Sequence, residues 1–130
     1  MADVINFGYI EETDPNKDYS LSMLPDDFLN IFKCIKVSDD VFNEFIPIIL
    51  NIPTYYRKLD NPNFGIDHFG VTLVPPESLP ELMRIIEGNK HIIKNNKHII
   101  YEEGLSELCE LLGYIGAVYK SNKYMIVFGI

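Results

Sequence analysis

The chain has 130 residues, 47% of them hydrophobic, with eight phenylalanines and eight tyrosines, which is enough to bury a core within one domain and excludes a globally disordered polymer. Its formal net charge of −8 opposes binding to nucleic-acid phosphates and to anionic membrane surfaces. The longest uninterrupted apolar run, Phe45–Leu50, is far short of the ~20 residues of a membrane helix.

The first residues carry neither a basic leader nor an apolar run of signal length. A cytoplasmic protein is therefore the expectation, with Cys34 and Cys109 as buried free thiols. The charge is unevenly placed. Residues 1–44 hold ten acids against three lysines, whereas residues 45–130 hold nine acids and eight bases. Net charge governs what a surface attracts rather than which fold it adopts.

In chain order, Val4–Ile10 is rich in β-branched and aromatic residues and reads as a strand. Asp14-Pro15-Asn16 lies in a turn, and Tyr19–Met23 is a short strand or an extended lead-in. Pro25 opens a helix with Asp26 and Asp27 in its first turn and Phe28, Phe32 and Ile35 facing the core. Ser38 caps a second helix, with Asp39 and Asp40 behind it and Phe42, Phe45 and Ile49 on one face; Pro47 kinks or restarts it. Pro53 and Asp60-Asn61-Pro62-Asn63 mark a long irregular connection.

Phe69–Val74 is a strand ended by Pro75-Pro76, neither of which can donate to a ladder. Ser78 and Glu81 have the spacing of a capping box, opening a helix whose buried stripe is Leu79, Leu82, Met83 and Ile86 and which Gly88 stops. Asn89–Ile93 is echoed by Asn96–Ile100; the segment is a hairpin about Asn95-Asn96 or a continuing helix. From Leu105 an amphipathic helix presents Leu105, Leu108, Leu112, Ile115 and Tyr119 on one face. The last strand, 124–130, is apolar on both sides and therefore central. Together these predict one α+β domain over residues 1–130. Its sheet is mainly antiparallel, with strands near 4–10, 69–74 and 124–130, and its helices pack on one face.

Candidate chemistry is sparse. His91 and His98 are seven residues apart within a lysine-rich run, the wrong spacing and the wrong charge for a shared cation, so neither a metal nor a cofactor is expected. Asp67, His68 and Glu77 flank the middle strand and have the residue types of general acid–base chemistry, the basis for an alternative reading as a small hydrolase or ligand-binding regulatory domain. No nucleophile elbow or phosphate loop accompanies them. Tyr55, Tyr56 and Phe64 would serve as interface anchors if exposed. The acids of the first third, Glu11, Glu12, Asp14, Asp18, Asp26, Asp27, Asp39 and Asp40, complement helix starts in part. Their excess over lysine also predicts one acidic face for a basic partner.

The segment His68-Phe69-Gly70-Val71-Thr72-Leu73-Val74-Pro75-Pro76-Glu77-Ser78-Leu79-Pro80, with the ending Lys123-Tyr124-Met125-Ile126-Val127-Phe128-Gly129-Ile130, resembles small bacterial immunity proteins of contact-dependent or polymorphic toxin systems. The likeness covers the C-terminal half and rests on a structural unit, strand–Pro-Pro–helix. It implies a cytoplasmic, non-enzymatic protein that binds a cognate toxin domain and blocks it. Many such toxins are basic nucleases, whose phosphate-binding surface an acidic inhibitor mimics.

Overall fold

A computed structural model of the chain describes residues 4–19 and 34–129. Six antiparallel strands form one sheet: β1 (Val4–Ile10), β2 (Ile35–Ser38), β3 (Pro53–Tyr56), β4 (Pro62–Phe64), β5 (Val71–Val74) and β6 (Tyr124–Phe128), in the order β2-β1-β6-β5-β3-β4. Among the described residues three α-helices, α1 (Asp39–Asn43), α2 (Leu79–Gly88) and α3 (Tyr101–Lys120), accompany it, giving the α+β domain that the sequence predicts.

β6 is central, as its two-sided apolar character requires, lying between β1 and β5. Met125 and Val127 point into the larger core with Ile5, Phe7 and Val37 from the sheet. Phe42 and Phe45 follow α1 into that core, Leu82 and Ile86 come from α2, and Leu108, Leu111 and Ile115 from α3. Phe7 and Phe42 meet edge to face, ring centroids 5.1 Å apart, an arrangement that suits aromatic quadrupoles. On the opposite face Ile126, Val71, Leu73 and Ile10 form a second cluster with Tyr19.

Residues 11–19 reach that second cluster as an extended arm. The Tyr19 side chain is 2% exposed. Its backbone N–H donates to the Arg57 carbonyl (2.9 Å), and its hydroxyl accepts from the Asp14 N–H (3.1 Å). Arg57, at φ 68°, is one of two non-glycine residues in the left-handed region. Its N–H donates to the Val71 carbonyl (3.0 Å), so bonds on both sides hold the unfavourable backbone.

Several local expectations change. The helix proposed from Pro25, with Asp26, Asp27, Phe28 and Phe32, lies outside the described residues, and its last position, Ile35, opens strand β2. The region 53–64, expected as an irregular connection, is the β3–β4 hairpin, pairing Pro53 with Phe64 and Tyr55 with Pro62. Pro62 is tolerated because β4 is an edge strand. Pro47 restarts the chain as a 3-10 turn over Ile46–Ile48. Lys90–Asn95 is a 3-10 helix, neither a hairpin nor a continuation of α2.

The capping box does not form. The Ser78 hydroxyl donates instead to the Pro53 carbonyl (2.6 Å) and Glu81 pairs with Arg84; a hydroxyl beside a buried carbonyl is drawn to satisfy it. α3 begins at Tyr101, four residues before the expected start, and buries Leu108, Leu111, Ile115 and Val118. Tyr119, expected on the buried stripe, is 45% exposed. Cys109 is exposed and Cys34 half-buried; both are free, so the expected burial of both thiols fails.

Two glycines predict opposite outcomes. A Cβ on Gly129 would collide with the His68 carbonyl, where the 65–70 loop closes on β6 through the Gly129 N–H and the Gly70 carbonyl (2.8 Å). Gly113, within α3, has nothing near its Cβ position. Gly129→Ala is expected to destabilise the fold by about 2 kcal/mol and Gly113→Ala to stabilise it by up to ~1 kcal/mol, both read by urea unfolding.

Candidate binding surface

The acids of the first third do not gather on one face. Glu11 follows β1 and Asp39 follows β2, whose Ser38 pairs with Val4 at the other end of β1. Six strand steps of roughly 3.3 Å put the two groups about 20 Å apart. Basic residues from the back half also neutralise some of them. Lys123 Nζ bonds Glu11 Oε2 (2.6 Å) and lies over the Tyr9 ring, 5.9 Å from its centroid. Arg57 Nη2 bonds Asp18 Oδ2 (3.0 Å).

The Lys123 bond, with the Tyr9 hydroxyl beside it, holds the Glu11 carboxyl below its ordinary pKa, and the same carboxylate raises that of Tyr9. Asp14 accepts the Asn16 N–H (2.9 Å), an Asx turn, and Glu12 is exposed. Asp26 and Asp27 lie outside the described residues. The single acidic face expected from the sequence is thus divided.

A different acidic grouping takes its place. Asp39 and Asp40 occupy the first turn of α1, and Glu102 and Glu103 the first turn of α3, where carboxylates complement the positive helix end. The fold brings these two helix starts together. Val41 of α1 and Gly104 of α3 line one hollow, and Glu107 takes both polar groups of Ser38, the N–H (3.1 Å) and the hydroxyl (2.8 Å). Asp40, Glu103 and Glu107 line the same hollow, of about 270 Å³, with His98, Val41, Ile99 and Ile100 on its walls.

Among the described residues, Glu11, Asp18, Asp60, Glu81 and Glu87 sit in ion pairs. Asp39, Asp40, Glu102, Glu103 and Glu107 do not. The result is a ridge of carboxylates along the β2 edge. The sequence marks Asp39 and Asp40, but nothing local marks Glu102, Glu103 and Glu107 as their neighbours; that contact spans 69 residues.

The aromatic anchors also differ from expectation. Tyr55 is half-buried and packs on the second cluster, its ring 6.4 Å from that of Tyr124. Tyr56 is half-buried too, its hydroxyl lying where a Cβ on Gly70 (φ 83°) would stand. Neither projects freely. Among the described residues the exposed aromatics are Phe64 at 63%, Phe69 at 65% and Tyr119.

Asp67, His68 and Glu77 do not converge. Asp67 and His68 precede β5 and Glu77 follows it, so three strand steps of roughly 3.3 Å stand between them. Asp67 Oδ2 accepts from Asn63 (2.8 Å), and His68 Nδ1 meets Asn43 Oδ1 (2.7 Å). Each of these two groups is committed to a loop-closing bond. Glu77 is exposed on a 3-10 turn.

A further cavity, about 450 Å³, opens between β1 and the last turns of α3, lined by Tyr9, Tyr114, Val118 and Lys123 among others. Burial pushes the Tyr114 phenol well above its ordinary range. Among the described residues no three His, Cys, Asp or Glu side chains are grouped to hold a metal ion, and no helix is long and apolar enough to cross a membrane. Comparison with protein families, characterised proteins and solved structures finds no match to this chain.

Replacing Lys123 by Met removes the main cause of the depressed Glu11 pKa, so that carboxyl is expected to titrate at higher pH. A carboxyl-detected NMR titration reads the change. Because the folded-state value is the lowered one, the stabilisation from this pair is present above the ordinary carboxylate pKa and disappears as pH falls through the depressed value.

Proposed function

We propose that the chain is a non-enzymatic binding protein that captures a basic protein partner through the carboxylate ridge of Asp39, Asp40, Glu102 and Glu103. The observation that carries this reading is the convergence of two acidic helix starts at one hollow, lined by His98 as well, with none of these carboxylates ion-paired among the described residues. Carboxylates left uncompensated in this way repel one another, and a cationic surface relieves that repulsion and is steered toward it. Glu11 and Asp18 are engaged by Lys123 and Arg57 and contribute little to such a surface.

The resemblance of residues 68–80 and 123–130 to immunity proteins gives this reading its specific form. A cytoplasmic inhibitor would neutralise a cognate toxin domain of nuclease type, whose phosphate-binding cations would meet the ridge. The ridge presents carboxylates along an edge of the molecule, as a nucleic-acid backbone presents phosphates. Glu107 supports the ridge from behind by fixing Ser38, the residue from which α1 departs.

The test uses the polypeptide encoded beside this chain. A secreted protein with a basic C-terminal domain that arrests growth, and is neutralised by co-expression, is the expected neighbour. The triple substitution Asp39→Lys, Asp40→Lys, Glu103→Lys is expected to slow association with that domain by about tenfold or more at low ionic strength, with the gap closing as salt rises. Reversal of Glu12 and Asp14 is the control and should leave the rate near wild type. An unchanged association rate in the triple variant would remove the ridge from the interaction.

A further inference from the structure

The two edges of the sheet are finished differently. At the β2 edge, Glu107 occupies the Ser38 N–H and hydroxyl, and Lys36 stands exposed on the same strand. Both are obstacles to an added strand. At the β4 edge the hydrogen bonds show which groups face outward. The Gly65 N–H donates to the Ile52 carbonyl (2.8 Å), and the Asn61 carbonyl accepts from the Tyr56 N–H (3.0 Å). Residues 61, 63 and 65 therefore face β3, and Pro62 and Phe64 face the open side.

Pro62 has no amide hydrogen, so Phe64 is the one residue of β4 that directs both a donor and an acceptor outward. Its side chain is 63% exposed, that of Leu50 is 56% and that of Ile48 is 42%. Leu50 lies against Gly65, next to Phe64. The exposed Phe64 and Leu50 side chains thus lie beside one outward-facing peptide unit.

We propose that this edge pairs with the same edge of a second copy of the chain, about a two-fold axis at Phe64, joining two six-stranded sheets into one. Three observations select a second copy as the occupant. First, an axis at Phe64 uses its N–H and C=O reciprocally and asks nothing of Pro62, whereas a longer foreign strand would run past Pro62 without gaining its donor. Second, an isologous contact sets the exposed Phe64 and Leu50 against their own copies, and the facing Phe64 rings form a favourable cross-strand aromatic pair.

Third, the uncompensated carboxylates lie at the opposite edge, five strand spacings or about 24 Å away, so pairing through β4 holds the charged ends of two −8 chains far apart. The acids nearest β4 are engaged, Asp67 with Asn63 and Asp60 with Lys58, and offer a basic partner little. This contact is separate from the carboxylate ridge and leaves it open.

Sedimentation of the full chain over a wide concentration range is the experiment. The wild-type mass is expected to rise from 15.0 kDa toward twice that value. Phe64→Asp, at an exposed position, is expected to keep the circular-dichroism spectrum and raise the dimer dissociation constant by about tenfold or more; Lys36→Ala should dimerise like wild type. In a Cys109→Ser background, Phe64→Cys should form a disulfide-linked dimer under mild oxidation. Antiparallel hydrogen-bonded partners lie ~5.5 Å apart at Cα, within disulfide reach. A wild-type chain that stays at one chain mass at every concentration overturns the proposal and leaves the edge to a strand of another protein. So does a dimer that survives Phe64→Asp, or a Phe64→Cys chain that gives no cross-link beyond the Cys109→Ser parent.

Discussion

Two strands in this protein, β5 and β6, are apolar on both faces, and the rest of the architecture is the way one short chain covers them twice. Val74, Met125 and Val127 pack against the helices, and Val71, Leu73 and Ile126 pack with Ile10 and Tyr19. The hydrophobic effect makes either face left open costly, at roughly 25 cal/mol per Å² of apolar surface. A layer of helices suffices for one side. On the other, the segment that carries Tyr19 is tied down by Glu11 to Lys123 and by Asp18 to Arg57.

That demand also decides what the acidic first third does. Charge that looks surplus along the sequence is partly consumed in fastening the arm. Among the described carboxylates without an ion pair, those of two helix starts far apart in sequence become neighbours because α3 packs along β2. Helix-dipole complementarity explains each pair of acids separately. It does not explain their shared edge, which is a property of the packing.

What the sequence discloses follows the range of the forces involved. Elements governed by local pattern are legible: the two-sided apolar run of β6, the restart at Pro47, the end of β5 at Pro75, the stop of α2 near Gly88. Elements that depend on a distant partner are not. Pro53 and Pro62 disguise the β3–β4 hairpin, because only an edge position makes Pro62 acceptable. Ser78 has the spacing of a cap, but the Pro53 carbonyl, 25 residues away, takes its hydroxyl. The stripe of α3 is displaced toward Leu111 and Val118 because contacts with the sheet and α2, rather than helical periodicity alone, choose the buried face. The acidic site is legible by half, Asp39 and Asp40 being visible and their partners on α3 not.

The pairing of β1 with β6, from Asn6 opposite Phe128 to Ile10 opposite Tyr124, has a consequence for the order of events on the ribosome. β1 emerges early, yet one of its two partner strands lies well over a hundred residues downstream, and loop closure over that distance is entropically expensive. Between the emergence of β1 and that of β6 the growing chain therefore carries an incomplete sheet, with Phe7 and Ile5 lacking their final neighbours. Rapid maturation then depends on how quickly β6 is delivered after α3, and the tight Ser121-Asn122 turn, with Asn122 at φ 56°, keeps that last step short.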